Sequence, residues 1–152
     1  MSLNNKNDGS TFYPAGAVIY NQGDQSQSLY IVKRGEVRLM RFINNHLHVF
    51  QICKPGEVLN DISVLTRKPL DHVAITKIET EIVAIPAKDI KNVIDKCPKW
   101  IPDIFATLCE RLLDSQEIIH EHNLSSGALD KNFILSKEEE RKYLDSLEDF
   151  KN

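Results

Sequence analysis

The sequence predicts a mainly-β domain, a sandwich or barrel of short antiparallel strands, followed by helices. Three observations carry this. From Phe12 to Pro86, runs rich in Val, Ile, Phe and Tyr are broken by turn signals about every 8–12 residues. After Pro86 the apolar spacing lengthens from that of a strand to that of a helix. The chain has 152 residues, 41% hydrophobic and 27% charged, which is enough to bury one substantial core.

The elements follow in order. Residues 1–11 are expected to form a disordered arm, since Met1 to Ser10 is polar. The predicted strands are Ala17–Tyr20, Ser28–Lys33, Glu36–Phe42, His46–Cys53, His72–Lys77 and Glu81–Ile85. Asn44-Asn45 marks a hairpin, because Asn tolerates positive φ better than most residues. Within Glu36–Phe42 the apolar Val37, Leu39 and Phe42 stand among charges, the pattern of a strand with one buried face. Asn60 to Leu65 breaks the β texture. It starts too polar for a strand, and Asn60 or Asp61 suits a helix N-cap, so about one turn of helix is expected there.

Asp89–Lys96 places Ile90, Val93 and Ile94 on one side of a short amphipathic helix. A longer helix spans 98–123, with Pro98 at its start and Pro102 in its first turn, where proline is tolerated. On it Ile101, Phe105, Leu108, Leu112, Ser115 and Ile119 recur at alternating spacings of four and three. That is a heptad seam, and it predicts a two-fold homodimer through this helix. Residues 124–152 read as a linker followed by a charged helix. Ser136 opens a capping box with Glu139, and Tyr143, Leu144, Leu147 and Phe150 share one face as far as about Phe150. That stripe can dock on its own barrel, on a second protomer or on another protein, so an unidentified protein partner is expected through this segment.

Composition excludes several functions. Nineteen basic against 22 acidic residues leave a net charge of −3, which gives no global pull toward nucleic acid or anionic lipid. No apolar run approaches the roughly 18 residues of a membrane span, and no signal peptide is evident. The scattered Cys53, Cys97 and Cys109 suit reduced thiols in a cytoplasmic protein. There is no GxSxG, P-loop, HExxH or CxxC, so the chain is expected not to be an enzyme. His46 and His48 share a strand face, but no acidic or thiol partner stands at ligand spacing, and no metal site is expected.

The glycines and their neighbours carry a more specific signal. Phe12-x-x-x-Gly16-x-x-Ile19-x-x-x-Gly23-Asp24 is followed by Leu29-Tyr30-Ile31-Val32-x-x-Gly35-Glu36-Val37. Pro55-Gly56-Glu57-Val58 and Thr80-Glu81-Ile82-Val83-Ala84-Ile85-Pro86 come later. From Phe12 to about Asn123 this order resembles the cyclic-nucleotide-binding domain family, of the catabolite activator type. The resemblance implies a double-stranded β-helix (jelly-roll) barrel over 12–97, then a short helix and a long C-terminal dimerisation helix. It places a ligand inside the barrel against the short helix. The candidate pocket residues are then Val58, Leu59, Asn60, Asp61, Ile62 and Ser63, with Arg67, Lys68, Leu70, Asp71 and His72 beyond the helix. A DNA-binding domain would follow the long helix, but residues 124–152 are too short and acidic for one, so no nucleic acid contact is expected from this chain.

In that family a Gly-Glu pair holds the ribose and an arginine pairs with the cyclic phosphate. Here the pair aligns with Asn60-Asp61, and the arginine position with Leu70, followed by Asp71. A buried monoanion needs a cation and donors, so cAMP or cGMP binding is expected to be lost or much weakened. Asn60 or Asp61 is further expected to cap the short helix and so occupy the N–H groups a phosphate would use. Two alternatives stand beside this reading. Arg67 or Lys68 supplies the missing cation in a working cyclic-nucleotide sensor, with His72 adding charge at low pH. Or Cys53 and His72 belong to a metal or haem sensor.

Overall fold

The computed structural model describes residues 9–126 and 134–151. Eight strands form two four-stranded antiparallel sheets. They are β1 (Ser10–Tyr13), β2 (Val18–Tyr20), β3 (Ser28–Arg34), β4 (Val37–Ile43), β5 (His46–Cys53), β6 (Val58–Leu59), β7 (Val73–Thr76) and β8 (Thr80–Pro86). One sheet runs β1-β8-β3-β6 and the other β2-β7-β4-β5. The helices are α1 (Asp61–Thr66), between β6 and β7, then α2 (Ala87–Asp95), α3 (Trp100–Ser126) and α4 (Lys137–Lys151). The double-sheet jelly-roll order is the expected fold class, with helices after the barrel.

Most elements form where their local signals stand. Asn44 and Asn45 take φ of 51° and 66° and close the β4–β5 hairpin. The capping box forms in both directions: Ser136 N–H donates to Glu139 Oε2 at 3.0 Å, and Glu139 N–H donates to Ser136 Oγ at 3.1 Å. Some expectations need correction. Ser10 and Thr11 are not part of a free arm, because their strand pairs with Val83 and Ile82 on β8. β6 is a two-residue strand on β3, too short to leave a pattern. The β7 strand starts at Val73, so His72 precedes it. Residues 124–126 extend α3 rather than opening a linker, whereas 127–132 lie outside the described residues.

The core lies between the sheets, around Ile19, Tyr20, Val32, Val37, Leu39, Cys53, Leu59, Leu70, Ala74 and Ile82. A second cluster lies on the outer face of β2-β7-β4-β5, where Val18, Met40, Leu47, Val49, Val73 and Ile75 meet Tyr143 and Leu147 of α4. This sheet is therefore covered on both sides. All four residues of β7 and the first four of β4 are buried, Arg38 included. The half-buried alternation expected of β4 fails for that reason. Of the α4 stripe, Tyr143 and Leu147 are buried, while Phe150 remains exposed.

One glycine is required by contact as well as conformation. Gly35 has φ +98°, and a Cβ there would fall within 2.7 Å of Thr80 Oγ1, Glu79 O and Thr80 Cα. Thr80 is fully buried, and its Oγ1 accepts from Glu36 N–H and donates to Ile78 O, so it has no room to yield. Gly35→Ala should destabilise the fold by about 2–3 kcal/mol. In urea this would appear as a lower unfolding midpoint at unchanged slope.

Candidate functional site

Asn60 sets the geometry of the site. It stands at the N-cap of α1 with φ 66° and ψ 22°, a left-handed conformation that asparagine tolerates. Its side chain does not cap the helix, contrary to expectation. Instead Nδ2 donates to Ser28 O at 2.8 Å and to Ser26 Oγ at 3.0 Å, which pins the start of α1 to the start of β3. The first backbone bond of the helix is Val64 N–H to Asn60 O at 3.2 Å. Asn60 thus serves as the hinge into α1, and no side-chain oxygen covers the first-turn N–H groups.

Between α1, the inner faces of β4 and β5 and the turn before β7 lies a cavity of about 370 Å³. That is within the size range of small-ligand sites. Of the residues singled out in the sequence, Val58, Asn60, Asp61, Ile62, Ser63, Lys68, Asp71 and His72 line it. Three others are placed elsewhere. Leu59 is 1% exposed and Leu70 is 3% exposed, both in the barrel core. Leu70 is held there by its backbone: its N–H donates to Asp24 O and its carbonyl accepts from Gly23 N–H. Arg67 takes φ 57° at the end of α1 and opens on a separate surface depression with Lys88 and Lys91. The side chain that enters the cavity at this turn is therefore Asp71, one residue beyond the aligned arginine position.

Two groups are present that sequence reasoning missed. Arg41, on the inner face of β4, lines the cavity and is the cation nearest Asp71. Its Nη2 donates to Asp71 Oδ2 at 2.5 Å, and its guanidinium lies over the Phe50 ring at 4.6 Å. The other oxygen, Asp71 Oδ1, lies 2.6 Å from His72 Nδ1. His72 Nε2 lies 2.7 Å from the Tyr20 hydroxyl. A ring with its proton on Nδ1 satisfies both contacts, donating to Asp71 and accepting from Tyr20. Burial pushes the Tyr20 phenol well above its ordinary range, which keeps it a donor. The hydrogen bond from His72, with the charge and hydrogen bond of Arg41, holds Asp71 down to about 2. Arg41, Asp71, His72 and Tyr20 thus form one closed chain, and both Asp71 oxygens are occupied. Lys68 and Asp61 also line the cavity and make no ion pair among the described residues. The signal for Arg41 was its place two residues after Leu39, on the face that Val37 and Leu39 turn to the core.

The thiol and histidine expected of a metal or haem sensor do not form such a site. Cys53 is fully buried in the core and burial raises its pKa to about 12, which disfavours the thiolate a metal needs. Both His72 nitrogens are engaged. No cluster of three His, Cys, Asp or Glu among the described residues suits a metal ion.

The predicted helix seam has mixed surroundings. Phe105, Leu108, Leu112 and Ser115 are exposed, Ile101 is half-buried, and the Ile119 side chain lies outside what the structure describes. Leu112 and Leu113 also close one side of the cavity. No helix among the described residues is long and apolar enough to cross a membrane.

Comparison with known proteins agrees with this geometry. Residues 10–97 match the cyclic nucleotide-binding domain family. The chain is 31% identical over 104 residues to the cyclic AMP receptor protein of Thermus thermophilus, covering 68% of this chain and 48% of that one. It is 30% identical over 73 residues to lysophospholipase NTE1 of Cryptococcus neoformans, covering 48% of this chain and 4% of the relative. The chain thus spans about half the first relative and a small part of the second. Among solved structures, Thermus thermophilus catabolite activator protein superposes with a TM-score of 0.60 at 28% identity, over 75% of this chain and 54% of that one. The cAMP-bound form of the EAL enzyme Bd1971 gives 0.67 at 13% identity, over 76% and 31%. At that identity the likeness concerns the fold alone.

Two expectations follow from the placement of Leu70 and Asp71. Leu70→Arg should lower stability by about 3 kcal/mol or more, because it drives an unpaired charge into the core; chemical denaturation measures this. Asp71 has its pKa lowered by folding, so it adds stability that is full above pH 4 and lost as the pH falls toward about 2. The stability gap between the native chain and Asp71→Asn should therefore narrow between pH 4 and 2 in urea titrations.

Proposed function

The chain belongs to the cyclic nucleotide-binding domain family, and from that premise we propose a non-enzymatic regulatory module whose cavity binds cAMP and cGMP weakly or not at all. The observation that carries this is the Asp71 carboxylate on the cavity wall, with Arg41 already committed to it. A cyclic phosphate is a monoanion. To gain Arg41 it must take that cation from Asp71 and leave the carboxylate facing it. Removing one partner of a buried ion pair costs about 3–5 kcal/mol. The Asp71 side chain is 49% exposed, so solvent reduces this, and a loss of about two decades in affinity is the scale expected.

A second reading is a working cyclic-nucleotide sensor. It draws support from Lys68, which lines the cavity and has no ion pair among the described residues. Arg67 is the weaker candidate for that role because it opens on the other side of α1. Assembly is a separate proposal: the exposed Phe105, Leu108 and Leu112 at heptad spacing support a homodimer through α3.

Calorimetry with cAMP and cGMP up to millimolar concentration tests the main reading. We expect a dissociation constant above about 100 μM, and a value below about 10 μM would refute weak binding. Asp71→Asn frees Arg41 and should raise affinity at least about tenfold, in keeping with the strength of charge-assisted pairs. If binding is instead tight in the native chain and lost in Lys68→Ala, the sensor reading stands. For the helix, Phe105→Glu with Leu108→Glu should convert a dimer to a monomer in light scattering. An unchanged mass would remove the seam from the interface.

A further inference from the structure

The outer face of β2-β7-β4-β5 is apolar except at one point. Arg38 stands there between its register partners Ile52 and Ile75 and is only 5% exposed. A guanidinium in such a setting can be covered only by an element that brings it an acceptor. α4 does so. Arg38 Nη1 donates to Glu139 Oε1 at 3.1 Å and to the Tyr143 hydroxyl at 3.2 Å. The next residue, Glu140, accepts through Oε1 from Leu47 N–H at 2.9 Å and meets His46 Nδ1 at 3.1 Å, which closes part of the free edge of β5. Tyr143 and Leu147 fill the apolar remainder. The recognition pattern is two adjacent carboxylates, an aromatic three or four residues on, and a leucine one turn further.

The fit is incomplete. Of the 15 residues of α4, only Tyr143 and Leu147 are buried, and Phe150 from the same stripe is 48% exposed. Arg38 Nε is buried without a hydrogen-bond partner even with α4 in place. The occupant thus leaves part of the fork geometry of the guanidinium unused.

We propose that this face is a docking surface for an acidic amphipathic helix, with α4 as a displaceable occupant in cis and a partner helix of the same chemistry as its competitor. The proposal is independent of what the cavity binds. It commits the partner to carboxylates on one turn, an aromatic on the next and a leucine on the one after, since an uncharged or basic helix would leave Arg38 unpaired.

The test uses the full chain and a fluorescein-labelled peptide of residues 134–151, followed by anisotropy. Tyr143→Ala with Leu147→Ala in the chain empties the face without altering it. A tethered occupant competes at an effective concentration on the order of millimolar, so the peptide should bind the emptied chain about a hundredfold tighter than the native chain. On the native chain, saturating peptide should speed hydrogen exchange in α4 and leave β7 protected. Adding Arg38→Met to the emptied chain should abolish binding. Glu139→Gln with Glu140→Gln, which changes charge and not packing, serves as a second way to empty the face should the alanine variant fold poorly. Absence of binding to both emptied chains, equal binding to native and emptied chains, or binding indifferent to Arg38→Met would each overturn the proposal.

Discussion

A guanidinium cannot leave water without gaining an acceptor, and β4 turns two of them away from solvent on opposite faces of one sheet. Arg41 faces the cavity and is met by Asp71; Arg38 faces α4 and is met by Glu139. The surroundings of both groups follow from that requirement. Inside, it fixes the turn before β7, because Asp71 must point inward while Leu70 is drawn into the core by backbone bonds to Gly23 and Asp24. Outside, it selects an acidic helix to cover a face that is otherwise apolar. β4 is thus the strand through which the ligand cavity and the C-terminal helix share a wall.

The parts of this fold legible in the sequence are those whose signals are local. The strand runs, the Asn44-Asn45 hairpin, the short helix after Asn60 and the Ser136–Glu139 box each depend on residues within a few positions of one another. β6 escapes because two residues carry no period, and β1 because Ser10 and Thr11 gain strand character only from β8. The candidate site was readable as a segment and not as a surface. That Asn60 to Ser63 faces a cavity follows from the family pattern. Which of Leu70 and Asp71 enters the cavity depends on a pairing with residues almost fifty positions earlier. Arg41 has the look of a solvent-side strand residue by its charge, although it keeps the phase of Val37 and Leu39, which face the core.

The same comparison separates what the family preserves from what this chain changes. The glycine corners, the sheet order and the helix between β6 and β7 are demands of the barrel, and they persist whatever the cavity holds. The charges on the cavity wall are not such demands. Arg41 and Lys68 oppose Asp61 and Asp71, so this wall carries as many carboxylates as fixed cations. A wall balanced in this way offers an anion no net attraction, and the closed chain from Arg41 to Tyr20 must open before the Arg41 guanidinium becomes available.

Among the described residues three buried side-chain atoms lack a hydrogen-bond partner: Glu36 Oε1, which keeps an ion pair with Lys77 at 3.1 Å, Arg38 Nε beneath α4 and Asn60 Oδ1 at the hinge into α1. In a well-packed barrel an unmet buried polar atom costs about 1–3 kcal/mol, and native structures keep few of them. The positions of Arg38 Nε and Asn60 Oδ1 are informative because neither atom has an ion pair in compensation, whereas Thr76 and Thr80 within the barrel are fully satisfied. The two atoms with neither a hydrogen bond nor an ion pair stand where a helix is set against the barrel. Local conflicts of this kind concentrate where a protein exchanges contacts rather than where it only folds. On that ground α1 and α4, each resting on β-structure through an unfinished polar contact, are the two elements of this chain best suited to move.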